Sequence, residues 1–181
     1  ENGKGVTVDL GISSAQSVGG NQGNDTLIAI ENIIGSAFSD TFKGNNIVSN
    51  TFNGGMNLST EVENVSDEND TVDYSKGTQG LIIDLSATQT FGDDTTYSVQ
   101  DDGFGNKEFT ANIENVIGTS SVDIIIGNDK DNKLEAGANA DTLYGGKGAD
   151  TLVGGSGADT FRGGVGDDII YGNAELTSSA D

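Results

Sequence analysis

Apolar side chains recur every nine residues in the C-terminal part of the chain, separated by short polar, glycine-rich segments. Residues 145–171 read GGKGADTLV, GGSGADTFR and GGVGDDIIY, and the same register extends back to residue 118. The apolar residues at position eight are Ile125, Leu134, Leu143, Leu152, Phe161 and Ile170. The polar residues at position six are Asp123, Asn132, Asp141, Asp150, Asp159 and Asp168. Such a fixed register indicates a built repeat rather than a linker.

Each nonapeptide predicts a turn followed by a very short strand. Positions one to six are rich in glycine, which permits positive φ angles, and we expect them to form the turn. Positions seven to nine hold β-formers such as TLY and TLV, and we expect them to form the strand. Two nonapeptides then make one coil, and successive coils stack as parallel strands. The pattern predicts that one sheet is lined by Leu134, Leu152 and Ile170, facing Ile125, Leu143 and Phe161 on the other.

A longer duplication organises the rest of the chain. GVTVDL at 5–10 matches GLIIDL at 80–85, and residues 30–45 match 113–128. The offset between the copies grows from 75 to 83 residues, so the later copy carries an insertion.

We expect this insertion within 95–113, where two β-rich runs flank DDGFGN and predict a protruding hairpin. A second interruption is expected at 54–75, and GNQGNDTLI at 20–28 is one isolated repeat. The predicted regions are a first, interrupted copy at 1–75, a strand and hairpin insertion at 76–117, and a regular repeat region with a C-terminal cap at 118–181.

Composition excludes several function classes. The chain has 181 residues, 29 acidic against 8 basic side chains, a net charge of −21, and no Cys or His. This charge argues against nucleic acid and anionic membranes as partners, and no apolar run approaches the ~20 residues that span a bilayer. No nucleophile-elbow, zinc-protease or phosphate-loop motif occurs, so we expect no enzyme. A glycosidase with paired carboxylates remains the open alternative.

The repeats need more than hydrophobic burial to fold. One aliphatic side chain per nine residues contributes less than the ordering of those residues costs, and carboxylates stacked coil above coil repel each other. A divalent cation remedies both problems, and calcium accepts six to eight carboxylate and carbonyl oxygens in flexible geometry. Because the glycine turns expose carbonyls and end in aspartate, we expect Ca²⁺ as the ligand of these turns.

The nonapeptides resemble the RTX (repeats-in-toxin) calcium-binding repeat GGxGxDxUx, strongly over 118–171 and partially over 20–75. The segments ENIIGSAFSDTFKGN and DTVDYSKGTQGLIIDL are similar to stretches of RTX adhesins. The resemblance implies an all-β fold, a calcium-bound parallel β-roll (a β-solenoid) with inserted loop or hairpin excursions.

The resemblance also implies the metal ligands, because each RTX turn shares a calcium ion with the turn two repeats on. Carried over, the pairs are Asp123 with Asp141, Asn132 with Asp150, Asp141 with Asp159, and Asp150 with Asp168, or about four ions. The implied turn glycines are Gly145, Gly146, Gly148, Gly154, Gly155, Gly157, Gly163, Gly164 and Gly166. In the earlier copy the candidates are Asp25, Asp40 and Asp70, for which a turn-capping aspartate without metal is an equal alternative.

As to function, the resemblance implies a calcium-dependent structural and folding module of a secreted or surface protein, with an adhesin as the leading host. The implied partners are calcium ions, the type I secretion machinery, and a cell-surface or glycan ligand of the host protein. Folding would follow calcium binding outside the cell. The alternatives are a module that itself binds a glycan, a surface or ice, and an accessory domain of a secreted hydrolase or epimerase.

Overall fold

The computed structural model describes residues 5–19, 23–45, 50–55, 69–87 and 99–173, and these residues form fifteen short β-strands. In chain order the strands are β1 (Thr7–Asp9), β2 (Asn32–Ile34), β3 (Thr41–Lys43), β4 (Thr51–Asn53), β5 (Thr71–Asp73), β6 (Leu81–Asp84), β7 (Val99–Asp102), β8 (Phe109–Ala111), β9 (Asn115–Ile117), β10 (Ile124–Ile126), β11 (Lys133–Ala138), β12 (Thr142–Lys147), β13 (Thr151–Ser156), β14 (Thr160–Val165) and β15 (Ile169–Tyr171). Within these ranges no helix is long and apolar enough to cross a membrane.

The strands form three sheets. The seven-stranded sheet has the order β1-β3-β5-β9-β11-β13-β15 and is parallel throughout. The five-stranded sheet has the order β14-β12-β10-β6-β7, in which only β7 runs antiparallel to its neighbour. A small parallel sheet has the order β2-β4-β8. The described residues therefore form an all-β structure built on parallel sheets, as an RTX β-roll requires.

The predicted coil of two nonapeptides is confirmed in the regular region. Leu134 pairs with Leu152, which pairs with Ile170, in the seven-stranded sheet. The five-stranded sheet aligns Ile125, Leu143 and Phe161 in the same way. Leu134, Leu143, Leu152 and Ile125 have no exposed surface, so the apolar position of these repeats builds the core between the two sheets, whereas Phe161 is partly buried and Ile170 of the last coil is 47% exposed.

The predicted extent of the turn is wrong. Strands β11 to β14 have six residues each and continue through positions one to three of the next nonapeptide. The register pairs Gly137 with Gly155 and Gly146 with Gly164. Glycine keeps its backbone donor and acceptor for this ladder, and without a Cβ atom the neighbouring coils approach closely enough to use them. The turn is therefore confined to positions four to six.

The predicted hairpin does not protrude where the structure describes it. Val99 and Glu108 pair through both backbone hydrogen bonds, and β7 joins the five-stranded sheet beside β6. Val99, Asp102 and Glu108 are fully buried. The physical reason is Glu108, whose carboxylate accepts hydrogen bonds from Asn50 and Tyr74 of the earlier copy at 2.7 and 2.8 Å. Residues 95–98 of that hairpin, 20–22 of the isolated repeat, 56–68 of the second interruption and 174–181 of the cap lie outside the described residues.

Candidate metal centre

The side chains at position six stand immediately before each strand and form two rows. The large-sheet row, before strands of the seven-stranded sheet, is Asp40, Asp70, Asn132, Asp150 and Asp168. The small-sheet row, before strands of the five-stranded sheet, is Asp123, Asp141 and Asp159. The strand that follows holds each residue in place through its position-eight side chain, which is buried or packed against the core except at Ile170 after Asp168, where it is 47% exposed.

Within each row, one coil is hydrogen-bonded to the next through the carboxylate. The backbone N–H of Asp123 donates to Asp141 Oδ1 at 2.8 Å, and that of Asp141 donates to Asp159 Oδ1 at 3.0 Å. In the large-sheet row the distances are 2.8 Å from Asn132 to Asp150 and 3.0 Å from Asp150 to Asp168. The structure thus brings together the four pairs that the resemblance implies, each eighteen residues apart.

The second carboxylate oxygen of three aspartates has no hydrogen-bond donor. Asp141 and Asp150 are each only 1% exposed, yet Oδ2 of both is buried without a partner. Oδ2 of Asp159 is in the same state. A buried anionic oxygen without a donor is costly, and proteins meet that cost with a hydrogen bond or a bound cation.

A backbone carbonyl converges on the same place as the unpartnered oxygen. A Cβ atom at Gly145 would lie 2.2 Å from Asp150 Oδ2 and 2.6 Å from the carbonyl oxygen of Gly163, one coil further on. At Gly154 the corresponding distance to Asp159 Oδ2 is also 2.2 Å. Carboxylate and carbonyl oxygens are the donor set of a hard cation, so these residues fit Ca²⁺.

The turns also stack carbonyl oxygens from coil to coil. A Cβ atom at Gly155 would lie 2.0 Å from the Gly137 oxygen, and one at Gly157 would lie 1.9 Å from the Asn139 oxygen. Both glycines have positive φ, 98° and 142°. Only glycine fits these positions, because any side chain would be both strained and in collision with the carbonyl below.

Burial and the negative charges of neighbouring residues disfavour ionisation of the carboxylates in each row. Burial, and then the negative charges of Asp123 and Asp159, raise the pKa of Asp141 to about 6. Burial, followed by the charges of Asp168 and Asp131, also raises the pKa of Asp150. A cation between the coils would reverse both effects by compensating the buried charge.

Of the three ligands predicted in the earlier copy, two lie in the large-sheet row and one does not. Asp70 Oδ1 accepts the backbone N–H of Asp40 at 2.7 Å, so both belong to the large-sheet row. Asp25 does not, because it is exposed and its backbone pairs with Gln16 in an isolated antiparallel bridge. Asp40, Asp123 and Asn132 share the row geometry, but their side-chain oxygens accept hydrogen bonds from their own turns.

Glu114 is a member of the large-sheet row that the sequence pattern did not reveal. Its Oε2 accepts the backbone N–H of Asp70 at 3.1 Å, and its carbonyl accepts the side-chain amide of Asn132 at 2.8 Å. The sequence feature that could have identified Glu114 is its spacing of two residues before the buried Val116, the same spacing as between positions six and eight. The segment before Glu114 has no glycine turn, and glutamate is longer than the usual aspartate, so the nonapeptide pattern did not include it.

The rows place acidic side chains singly rather than in clusters. Across the described ranges, no group of three or more His, Cys, Asp or Glu side chains is placed to hold a metal ion.

Comparison with known proteins yields one family. Residues 117–152 and 145–175 match the family model of the RTX calcium-binding nonapeptide repeat. No curated protein matches the chain. The matched residues contain every position-six residue of the regular region, from Asp123 to Asp168.

Proposed function

Residues 117–175 of this chain carry RTX nonapeptide repeats, which bind Ca²⁺, and we propose that the chain is a structural module folded by calcium ions held between its coils. The observation that carries this proposal is the unpartnered, buried Oδ2 of Asp141 and Asp150. The proposed side-chain ligands are Asp141, Asp150, Asp159 and Asp168. The turn glycines 145, 154 and 163 and their neighbours at positions two and four supply the carbonyls.

The bound ion compensates charge that the protein places between its coils. The chain's own residues do the remaining work: the position-eight side chains fix each strand, and the Oδ1 hydrogen bonds set the spacing of successive carboxylates. Because the chain carries a net charge of −21 and one core residue per regular repeat, calcium decides whether the coils stack.

We propose further that the host protein leaves the cell unfolded through a type I secretion system and is an adhesin. Extracellular calcium modules work with dissociation constants of about 10⁻⁴–10⁻³ M, so the chain would stay unfolded where calcium is scarce and fold where it is abundant. The adhesin assignment is supported by the similarity of residues 31–45 and 70–85 to adhesin segments.

Circular dichroism of the whole chain tests the calcium-dependent folding. In excess chelator we expect most of the β-sheet signal to be absent, and about 1 mM calcium should restore it. Magnesium is the matched control, because it demands a small octahedral site and should not restore the signal at the same concentration. An identical β-sheet signal in chelator and in calcium would refute the proposal.

A further inference from the structure

Position two of the nonapeptide divides the turns into two groups. In the turns that end at Asp141, Asp150, Asp159 and Asp168, position two is glycine with φ between 98° and 126°. In the turns that end at Asp40, Asp123 and Asn132, position two is Ser36, Thr119 or Asn128. None of these three residues has positive φ. The two groups therefore present different backbone and side-chain atoms to the position-six residue.

The carboxylate of Asp123 accepts three hydrogen bonds from protein groups. Its Oδ2 accepts the backbone N–H of Thr119 at 2.6 Å, and its Oδ1 accepts the Thr119 hydroxyl at 2.7 Å. The backbone N–H of Leu81 adds a third hydrogen bond to Oδ1 at 2.7 Å. A carboxylate has about four lone-pair sites, so little acceptor capacity remains.

Asp40 repeats this arrangement with different residues. Its Oδ2 accepts the backbone N–H of Ser36 at 2.5 Å, and its Oδ1 accepts the Ser36 hydroxyl at 2.9 Å and the backbone N–H of Val6 at 2.6 Å. The same three donors thus occur in both copies of the duplication.

The side-chain amide of Asn132 is likewise occupied by hydrogen bonds to protein groups. Its Oδ1 accepts the backbone N–H of Asn128 at 2.8 Å, and its Nδ2 donates to the Glu114 carbonyl and to Asn128 Oδ1. Asp141, Asp150 and Asp159 lack such bonds, because each accepts one backbone N–H at Oδ1 and none at Oδ2.

We infer that the turns 35–40, 118–123 and 127–132 fold without calcium, with the position-two residue donating the hydrogen bonds that replace the cation. A backbone N–H aimed at Oδ2 occupies the lone pair that a cation needs, and its dipole repels a positive ion. In the regular region, Asp141 is then the first residue along the chain that binds calcium, at a site it shares with Asp159 of the next coil. Asp150 shares the following site with Asp168. This inference rests on the proposed function, and it removes Asp40, Asp123 and Asn132 from the ligands that the RTX resemblance implies.

Calcium binding to the whole chain, measured by equilibrium dialysis, tests this with matched substitutions. Asp123→Asn and Asp141→Asn remove the same charge from neighbouring members of the small-sheet row and keep a side-chain oxygen. We expect Asp123→Asn to bind the wild-type number of ions with unchanged affinity. Asp141→Asn should bind one ion about tenfold more weakly or not at all, since the charge of the ligands sets calcium affinity.

A second pair covers the case in which Asp123→Asn fails to fold. Thr119→Gly with Ser121→Gly recreates the glycines of a calcium turn and should add one ion, whereas Thr119→Ser keeps the hydroxyl and should add none. Loss of an ion in both Asp→Asn variants, or no added ion in the glycine variant, overturns the inference and leaves the proposed function standing. Unchanged calcium binding in Asp141→Asn overturns both.

Discussion

At the scale of single residues, the two oxygens of each position-six aspartate have separate tasks. Oδ1 accepts the N–H of the preceding coil in Asp141, Asp150 and Asp159 alike, which links each coil to the next. Oδ2 has no hydrogen-bond donor in these turns, where we propose that it binds the cation, and it is hydrogen-bonded to Thr119 in the turn of Asp123. One side chain therefore serves two kinds of turn, and its neighbour at position two decides which.

A second buried carboxylate, Glu108, gives the protein a pH-dependent stability that does not depend on the calcium turns. It is fully buried against Asn50 and Tyr74 and feels the negative charge of Asp102. Burial raises the pKa of Glu108 from 4.5 to about 7, although the hydrogen bonds from Asn50 and Tyr74 oppose the shift. The folded protein thus prefers the protonated acid, which is the neutral form.

Glu108→Gln should remove this pH dependence. The contribution of Glu108 to wild-type stability falls as pH rises from 4.5 to 7, because the unfolded chain releases the proton that the folded protein holds. Glutamine does not titrate, so the free energy of unfolding of the variant should gain on the order of 3 kcal/mol relative to wild type across this window. Urea unfolding at saturating calcium and several pH values measures the difference.

The matched control is Glu135→Gln, which removes a partly exposed carboxylate paired with Lys133. We expect this control to change stability by less than about 1 kcal/mol at every pH. A Glu108→Gln difference that stays constant from pH 4.5 to 7 would contradict the assignment of a raised pKa.

At the scale of elements, strand and turn are joined in one six-residue segment because positions one and two carry no side chain or a very small one. Strands β12 to β14 each carry the apolar residue of one repeat and the first two glycines of the next, and β11 has Ala136 and Gly137 in these places. The carbonyl oxygens of Gly137 and Asn139 would lie 2.0 and 1.9 Å from a Cβ atom added at Gly155 and Gly157. Tight stacking of the turns therefore depends on these glycines as much as on the core.

Gly155→Ala should destabilise the roll by more than about 2 kcal/mol, because it adds the cost of a left-handed alanine to a collision with the Gly137 oxygen. Gly172→Ala is the matched control, since nothing lies within 4 Å of its added methyl group. We expect that control to stay within about 0.5 kcal/mol of wild type. Urea unfolding in saturating calcium compares the two, and equal effects would show that carbonyl stacking does not require glycine.

The nine-residue register was sufficient to predict the two facing sheets and the pairing of Leu134 with Leu152. It could not predict where the turn begins, because the continuation of a strand through glycine depends on the neighbouring coil rather than on local preference. It also missed Glu114, whose place in the row arises from a long-range pairing of β5 with β9. The sequence pattern also did not separate the position-six residues that accept hydrogen bonds from position two from those whose Oδ2 has no donor. Only the hydrogen-bond partners in the structure show this difference.

At the scale of the whole molecule, both copies of the duplication share one sheet. The seven-stranded sheet passes from β5 of the earlier copy through β9 to β11 of the regular repeats. The earlier copy has larger buried side chains, such as Phe42 and Phe52, whose stacked rings lie 5.6 Å apart. The regular repeats have one position-eight apolar residue each instead, so we expect calcium to contribute more to the stability of these coils than to that of the earlier copy.

Hydrogen exchange read by mass spectrometry, with and without calcium, tests most directly whether ions hold these coils together. In calcium, the amides of β12 to β15 that are hydrogen-bonded to a stacked coil should exchange slowly. In chelator, the same amides should exchange as fast as those of an unfolded chain, since the carboxylates of Asp141, Asp150 and Asp159, each with an Oδ2 that has no donor, then repel without compensation. Equal protection of β12 to β15 in both conditions would contradict the account.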